Sequence, residues 1–210
     1  MYVPAHFRED DLAVLHRLKS EYSFATLVST EGDGLPIATH LPFVLDERPA
    51  PYGSLKAHMA LGNSQWRTFH SDREVLVIFQ GPHGYITPSW YENPLSVPTW
   101  NYATVHAYGF PHLIEDHALL YTHLRSLVAK HEQQFADQWQ LDALPSDYIE
   151  KMMKGVVGFE IQLTRLEGKW KMSQNRSESE RIHVSAELQS SQDPMLHEVG
   201  NLVSGTRRRA

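Results

Sequence analysis

The sequence predicts a mainly β protein with helices, an α+β chain whose strands close into an antiparallel barrel. Three observations carry that expectation. Six or so strand-like runs follow one another through hairpin-like connections, and the longer helical patterns come late instead of alternating with the strands. A dinucleotide-binding βαβ unit has no support either. The nearest glycine motif, "GDGLPI" from Gly32, lacks the third glycine and falls in a hairpin turn. At 210 residues, the chain is expected to form one barrel domain over 1–175 with helices inserted at about 115–154, and a helical tail over 176–210 packed on it.

Leu12, Leu15, Leu18 and Tyr22 recur at helical spacing behind Asp10, which predicts a short capped helix at the start. Two strands, "FATLVS" at 24–29 and "LPIATHLPFVL" at 35–45, flank "TEGDG", whose glycines suit a hairpin turn that needs positive φ. The next pair is "GSLKAHMA" at 53–60 and "EVLVIFQG" at 74–81. Between them Asn63 is placed to cap one or two helical turns carrying Trp66 and Phe69. A fifth strand is expected over about 99–114. In the helix that follows, Leu120, Leu124, Leu127 and Val128 form one stripe behind Asp116, and a short helix "PSDYIEKMM" stops near Gly155. "VVGFEIQLTRLEGKWKM" then alternates Val157, Phe159, Ile161 and Leu163 with polar residues, as a strand with one wet face does. Asp193 and Pro194 mark a helix start in the tail.

Composition removes several classes of chemistry. Nineteen Lys and Arg against 25 Asp and Glu give a formal charge of -6, so the chain as a whole offers nucleic acid no electrostatic footprint; only the terminal "TRRRA" is densely basic. With no cysteine there are no disulfides, thiol nucleophiles or thiolate metal sites. No apolar run approaches the ~20 residues of a membrane span, and "MYVPAHFREDD" lacks a signal-peptide layout, so a cytoplasmic protein with no membrane partner is expected. Thirteen histidines raise the question of a metal. There is no HExxH, and His117, His123 and His131 are spaced by six and eight residues, so no metal site is expected. No Gly-x-Ser-x-Gly elbow marks a serine hydrolase.

The candidate binding residues gather in a few segments. In "TWNYATVHAYG" the period of two puts Trp100, Tyr102, Thr104, His106 and Tyr108 on one face and Asn101, Ala103, Val105 and Ala107 on the other. The small face suits a barrel interior. The aromatic face needs a cover, which is a helix, a second subunit or a flat ligand. "GKWKMSQNR" places Lys169, Lys171, Ser173, Gln174, Asn175 and Arg176 at a strand end, suited to a phosphate or to the polar edge of a heterocycle; a solvated turn is the alternative. Lys56 and His58 share one strand face and can meet an anion, although a histidine satisfied by a carbonyl is the commoner outcome. Thr39 and His40 interrupt an apolar strand and need polar partners.

"MYVPAHF", "ATHLPFVLD", "LKAHMALGNSQW", "VIFQGPHGYITPSWY", "VPTWNYATVHAYG" and "KMSQNR", in this order and over nearly the whole chain, resemble the PaiB-like family of FMN-binding negative transcriptional regulators. The resemblance implies an antiparallel split β-barrel of the flavin-binding type, related to the pyridoxamine phosphate oxidases, usually a homodimer with FMN at the subunit boundary. The positions matching the family's motifs, and so implied to bind the cofactor, are Lys56, His58, Trp90, Tyr91, Trp100, Asn101, Tyr102, Lys171, Ser173, Gln174 and Asn175. DNA as a partner comes from the resemblance alone. Two other functions stay open: an FMN-dependent oxidoreductase acting on a small substrate, since the flavin itself carries that chemistry, and a haem-binding or haem-degrading split barrel, which needs axial histidines.

Overall fold

Period-two patterning gives strands where it predicts them, and the one that starts at Val75 runs further than its turn signals indicate. The computed structural model describes residues 1–48 and 51–205, so the basic "TRRRA" end lies outside the described residues. Among these, eight strands form one antiparallel sheet: β1 (Arg8–Glu9), β2 (Phe24–Thr30), β3 (Pro36–Pro42), β4 (Val44–Asp46), β5 (Ser54–Ala60), β6 (Val75–Ile86), β7 (Thr99–Leu113) and β8 (Val156–Lys171). Five helices accompany them: α1 (Leu12–Glu21), α2 (His117–Glu132), α3 (Ser146–Met153), α4 (Glu178–Ser190) and α5 (Pro194–Gly205). The strand order is β3-β2-β6-β7-β8-β5-β4, with β1 beside β8. The chain divides into two compact units. One holds Met1–Leu15, Gln80–Val105 and the chain from Glu167 onward; the other holds His16–Phe79 and His106–Leu166.

The second of these units contains the β2–β3 hairpin, in register from Phe24↔Pro42 to Thr30↔Pro36. Only one of the two turn glycines takes the left-handed conformation, Gly34 at φ +89. The run expected as one strand over 35–45 is two. At Phe43 the backbone N–H carries the β2–β3 register one pair further, donating to the Ser23 carbonyl at 2.8 Å just outside β2, while the ring sinks to 1% exposure and meets Phe79 and Phe159 edge-on. Asn63 caps a 3-10 turn, Ser64–Thr68, as its residue type predicts, and Phe69 lies just past its end. Within that turn Gln65 is fully buried and its amide donates to the Leu27 and Ile37 carbonyls and to the Ser29 hydroxyl, tying β2 to β3. β5 pairs β8 from Ser54↔Gln162 to Ala60↔Val156, which sets Lys56 opposite Glu160 and His58 opposite Gly158. A Cβ at Gly158 would lie 2.6 Å from Leu120, so this glycine lets α2 approach the sheet. Leu120 then joins Ile149 and Met153 of α3 in a small core.

In the other unit β1 pairs the end of β8, Arg8↔Lys169 and Glu9↔Gly168. The expected strand at 74–81 continues to Ile86 because "GPHG" is not a turn: at Gly84 a side chain would run into Leu196 of α5. The tail resolves into two helices. A capping box between Ser177 and Glu180 starts α4, and the Ser185 hydroxyl donates to the Gly200 carbonyl of α5 at 2.8 Å. The inward stripe of α4 includes Glu180 and Ser185 beside Val184 and Leu188, so apolar spacing alone does not reveal it.

Candidate functional site

The alternation expected in the segment from Thr99 is present. Asn101, Ala103, Val105 and Ala107 are buried, while Trp100 is 54% exposed and Tyr102 and Tyr108 are half-buried; Thr104, on the aromatic face, is buried as well. Around Trp100 stand other rings from β6, His83 at 6.4 Å and Tyr85 edge-on at 6.0 Å between centroids. Tyr85 is itself 48% exposed, which leaves a wet aromatic surface with one imidazole at its border. Trp90 sits half-buried in the 3-10 turn Pro88–Trp90, and the buried Tyr91 carries the Arg176 guanidinium over its face at 3.8 Å.

Beside this surface the end of β8 presents two lysines on one side of the strand. The Lys169 ammonium donates to the Tyr2 carbonyl at 3.1 Å and lies 5.2 Å from the centre of the Tyr102 ring. The Lys171 ammonium donates to the Thr99 hydroxyl. Burial first, and then the charge of Lys169, pushes the Lys171 ammonium below its ordinary pKa. Among the described residues neither lysine has a carboxylate partner. Two adjacent, partly desolvated cations with no counter-ion form an anion site in chemical terms, with the Arg176 cation in the same unit.

The turn after β8 is held by its own side chains. Ser173 is the one non-glycine among the described residues with positive φ, at 61. Asn101, 1% exposed, donates to the Ser173 hydroxyl at 3.0 Å. Gln174 donates to the Trp170 carbonyl at 2.5 Å and accepts from the Met172 N–H at 2.7 Å, so both ends of its amide are engaged within the turn. A serine in this sparsely populated region persists because these bonds over-determine it. Asn175 is exposed, with no hydrogen bond from its side chain among the described residues. Trp90, Tyr91, Trp100, Asn101, Tyr102, Lys171, Ser173, Gln174 and Asn175 thus fall in one unit, whereas Lys56 and His58 fall in the other.

Lys56 and His58 belong to a different kind of place. Lys56 lines a cavity of about 380 Å³ that lies entirely within its unit. Its ammonium is 3.8 Å from Asp46 and 3.7 Å from Glu160. Asp46 is engaged by Arg48 at 3.1 Å through two nitrogens, which holds its carboxyl below the usual carboxylate range. His58 meets His123 of α2 with its Nδ1 3.2 Å from Nε2. Burial lowers both imidazole pKa values, that of His123 to about 4 with the charges of His58 and Lys56 adding to it. Both rings are therefore neutral at pH 7. His123 Nδ1 has no partner among the described residues, which favours the tautomer with the proton on Nε2, donated to His58. Sequence spacing singled out His58 but gave no sign of His123 as its partner; the pairing depends on the close approach that Gly158 allows. Thr39 finds a polar partner, Asn63 donating to its hydroxyl at 2.9 Å, whereas His40 is exposed to water and only stacks on Phe24 at 6.3 Å between ring centroids. No group of three or more His, Asp or Glu among the described residues could hold a metal ion, and no described helix is long and apolar enough to cross a membrane.

Residues 1–165 match the family described as "Putative FMN-binding domain". "Protease synthase and sporulation protein PAI 2" of Bacillus subtilis is 38% identical over 203 residues, covering 97% of this chain and 96% of that protein. Among solved structures, the flavocytochrome Anf3 from Azotobacter vinelandii is similar with a TM-score of 0.58 at 12% identity, covering 80% of this chain and 72% of that one. The FAD- and haem-binding protein from Mycobacterium smegmatis is similar with a TM-score of 0.56 at 16% identity, covering 78% and 73%. The architecture is the antiparallel split β-barrel with flanking helices that the sequence predicts.

Proposed function

Because the chain belongs to the FMN-binding domain family and is similar to the Bacillus PAI 2 protein, we propose that the strand ends of the unit containing Trp100 hold the flavin of a PaiB-type protein. The observation that carries this reading is the lysine pair. Lys169 and Lys171 present two partly desolvated cations without a carboxylate partner among the described residues, beside the half-exposed Trp100 ring. A phosphate dianion supplies the missing counter-charge, and Thr99 supplies a hydroxyl already bound to Lys171. Trp100 and Tyr85 offer π-faces for a flat heterocycle. Asn101, Ser173 and Gln174 act behind that surface: their bonds to one another and to the backbone fix the turn from which Lys171 projects. A bound FMN supplies hydride or single-electron transfer.

The PaiB likeness supports a cytoplasmic, homodimeric transcriptional regulator, and exposed apolar side chains near the site, Leu95 at 91% and Val97 at 70%, suit a partner subunit. The formal charge of -6 favours the second role, an FMN-dependent oxidoreductase acting on a small substrate, because such a chain repels DNA except through local basic groups.

Titration of the purified chain with FMN and with riboflavin tests the site. Lys171→Ala is expected to weaken FMN about tenfold or more and to leave riboflavin nearly unchanged, as loss of a charge-assisted bond to phosphate requires. Trp100→Ala is expected to weaken both. Equal affinities of the Lys171→Ala and parent chains for FMN would remove the phosphate from this position.

A further inference from the structure

We propose that the cavity beside Lys56 is a second ligand site, independent of the flavin, and that it takes a small zwitterion with an apolar side chain, the chemistry of a free aliphatic α-amino acid. The cavity, of about 380 Å³, is large enough for such a molecule and lies wholly within the unit that holds His16–Phe79 and His106–Leu166.

Its charges come in both signs. Asp46, Glu47 and Glu160 supply three carboxylates against the two cations Arg48 and Lys56, a lining charge of -1 that opposes a phosphate dianion. Most of these groups are already engaged. Arg48 is bound to Asp46 through two nitrogens, and Glu160 accepts from the Ser54 hydroxyl at 2.5 Å. Two keep hydrogen-bonding capacity for a guest. Lys56 sits between Asp46 and Glu160 at 3.8 and 3.7 Å, too far for a hydrogen bond, so its three N–H donors are unspent among the described residues. Glu47 is 64% exposed and, among the described residues, meets only the His16 imidazole, at 3.4 Å, and the more distant attraction of Lys19. A cation at Lys56 and an anion at Glu47 match the carboxylate and ammonium of an amino acid. Val44, Ile114 and Leu119 add apolar lining to the same cavity, and the uncharged, buried His123 adds a neutral group. A purely cationic guest meets Lys56 and a purely anionic one meets Glu47, so each is opposed where the zwitterion is doubly paired.

Calorimetric titration of the full chain with L-leucine, 3-methylbutylamine and 4-methylpentanoate tests the assignment. Leucine is expected to bind at least tenfold more tightly than either of the other two, which each lack one of its charges. Glu47→Gln and Lys56→Met are each expected to weaken leucine about tenfold. Leu119→Trp, at a position 60% exposed and so tolerant of a larger ring, is expected to fill the cavity and abolish leucine binding with the thermal midpoint unchanged. The assignment is overturned if either single-charge analogue binds as tightly as leucine, if none of the three binds, or if Leu119→Trp binds leucine normally. These readings need no flavin, so they stand or fall apart from the FMN titration.

Discussion

Lys19 carries the sharpest electrostatic conflict in the molecule. It is 1% exposed on α1, its ammonium has no hydrogen-bond partner among the described residues, and burial brings its pKa down from 10.5 to about 8 against the attraction of Glu47. Its folded pKa lies below its unfolded one, so the unfolded chain binds more protons between the two and stability rises with pH across that window. Urea unfolding is expected to show a gain of roughly 3 kcal/mol between pH 8 and 10.5 that Lys19→Met removes. The same rule at His123, whose pKa falls from 6.5 to about 4, gives the same sign in a more acidic window. Stability is lost as the solution is acidified from pH 6.5 to 4, and His123→Gln is expected to flatten that loss. Residue type and spacing were enough to pick out Lys56, His58, Trp100 and Lys171 as polar or aromatic groups on strand faces. Spacing could not pair Lys56 with Glu160, because register between strands 104 residues apart is set by the whole sheet and not by either segment. Lys19 reads as an ordinary charged helix residue until the fold encloses it.

At the level of elements, what the sequence made legible were the features encoded within a few residues. Asp116 caps α2 by accepting from the Ala118 and Leu119 N–H groups, and Asn63 caps its 3-10 turn in the same way. Asp116→Ala is expected to cost about 1 kcal/mol in chemical denaturation. Features that depend on a distant neighbour were not legible. The break at Phe43, the continuation of β6 through "GPHG" and the polar inward stripe of α4 each reflect what packs against the segment. Gly109, in the middle of β7, belongs with these. A Cβ there would collide with the Gln162 carbonyl of β8, so Gly109→Ala is expected to cost roughly 3 kcal/mol, read as a lower urea midpoint at an unchanged slope.

For the whole molecule, ligand linkage provides a check that does not depend on assigning any single contact. If FMN binds the folded chain alone, a hundredfold excess over its dissociation constant adds about 2.7 kcal/mol, and the thermal midpoint climbs with FMN concentration. Lys171→Ala should shift that climb to higher FMN while leaving its slope against the logarithm of FMN concentration unchanged. The route of the chain has a separate implication for anyone trying to dissect the protein. The boundaries between the two units fall at 15/16, 79/80, 105/106 and 166/167, inside α1, β6, β7 and β8 and never in a loop. No single truncation can therefore release either half as an autonomous fragment, and a gene cut at any of these points severs a hydrogen-bonded element. Split-reporter fragments or nested deletions should give insoluble pieces, while a circular permutant opened at the Gly34 turn, which leaves all four crossings intact, should remain foldable.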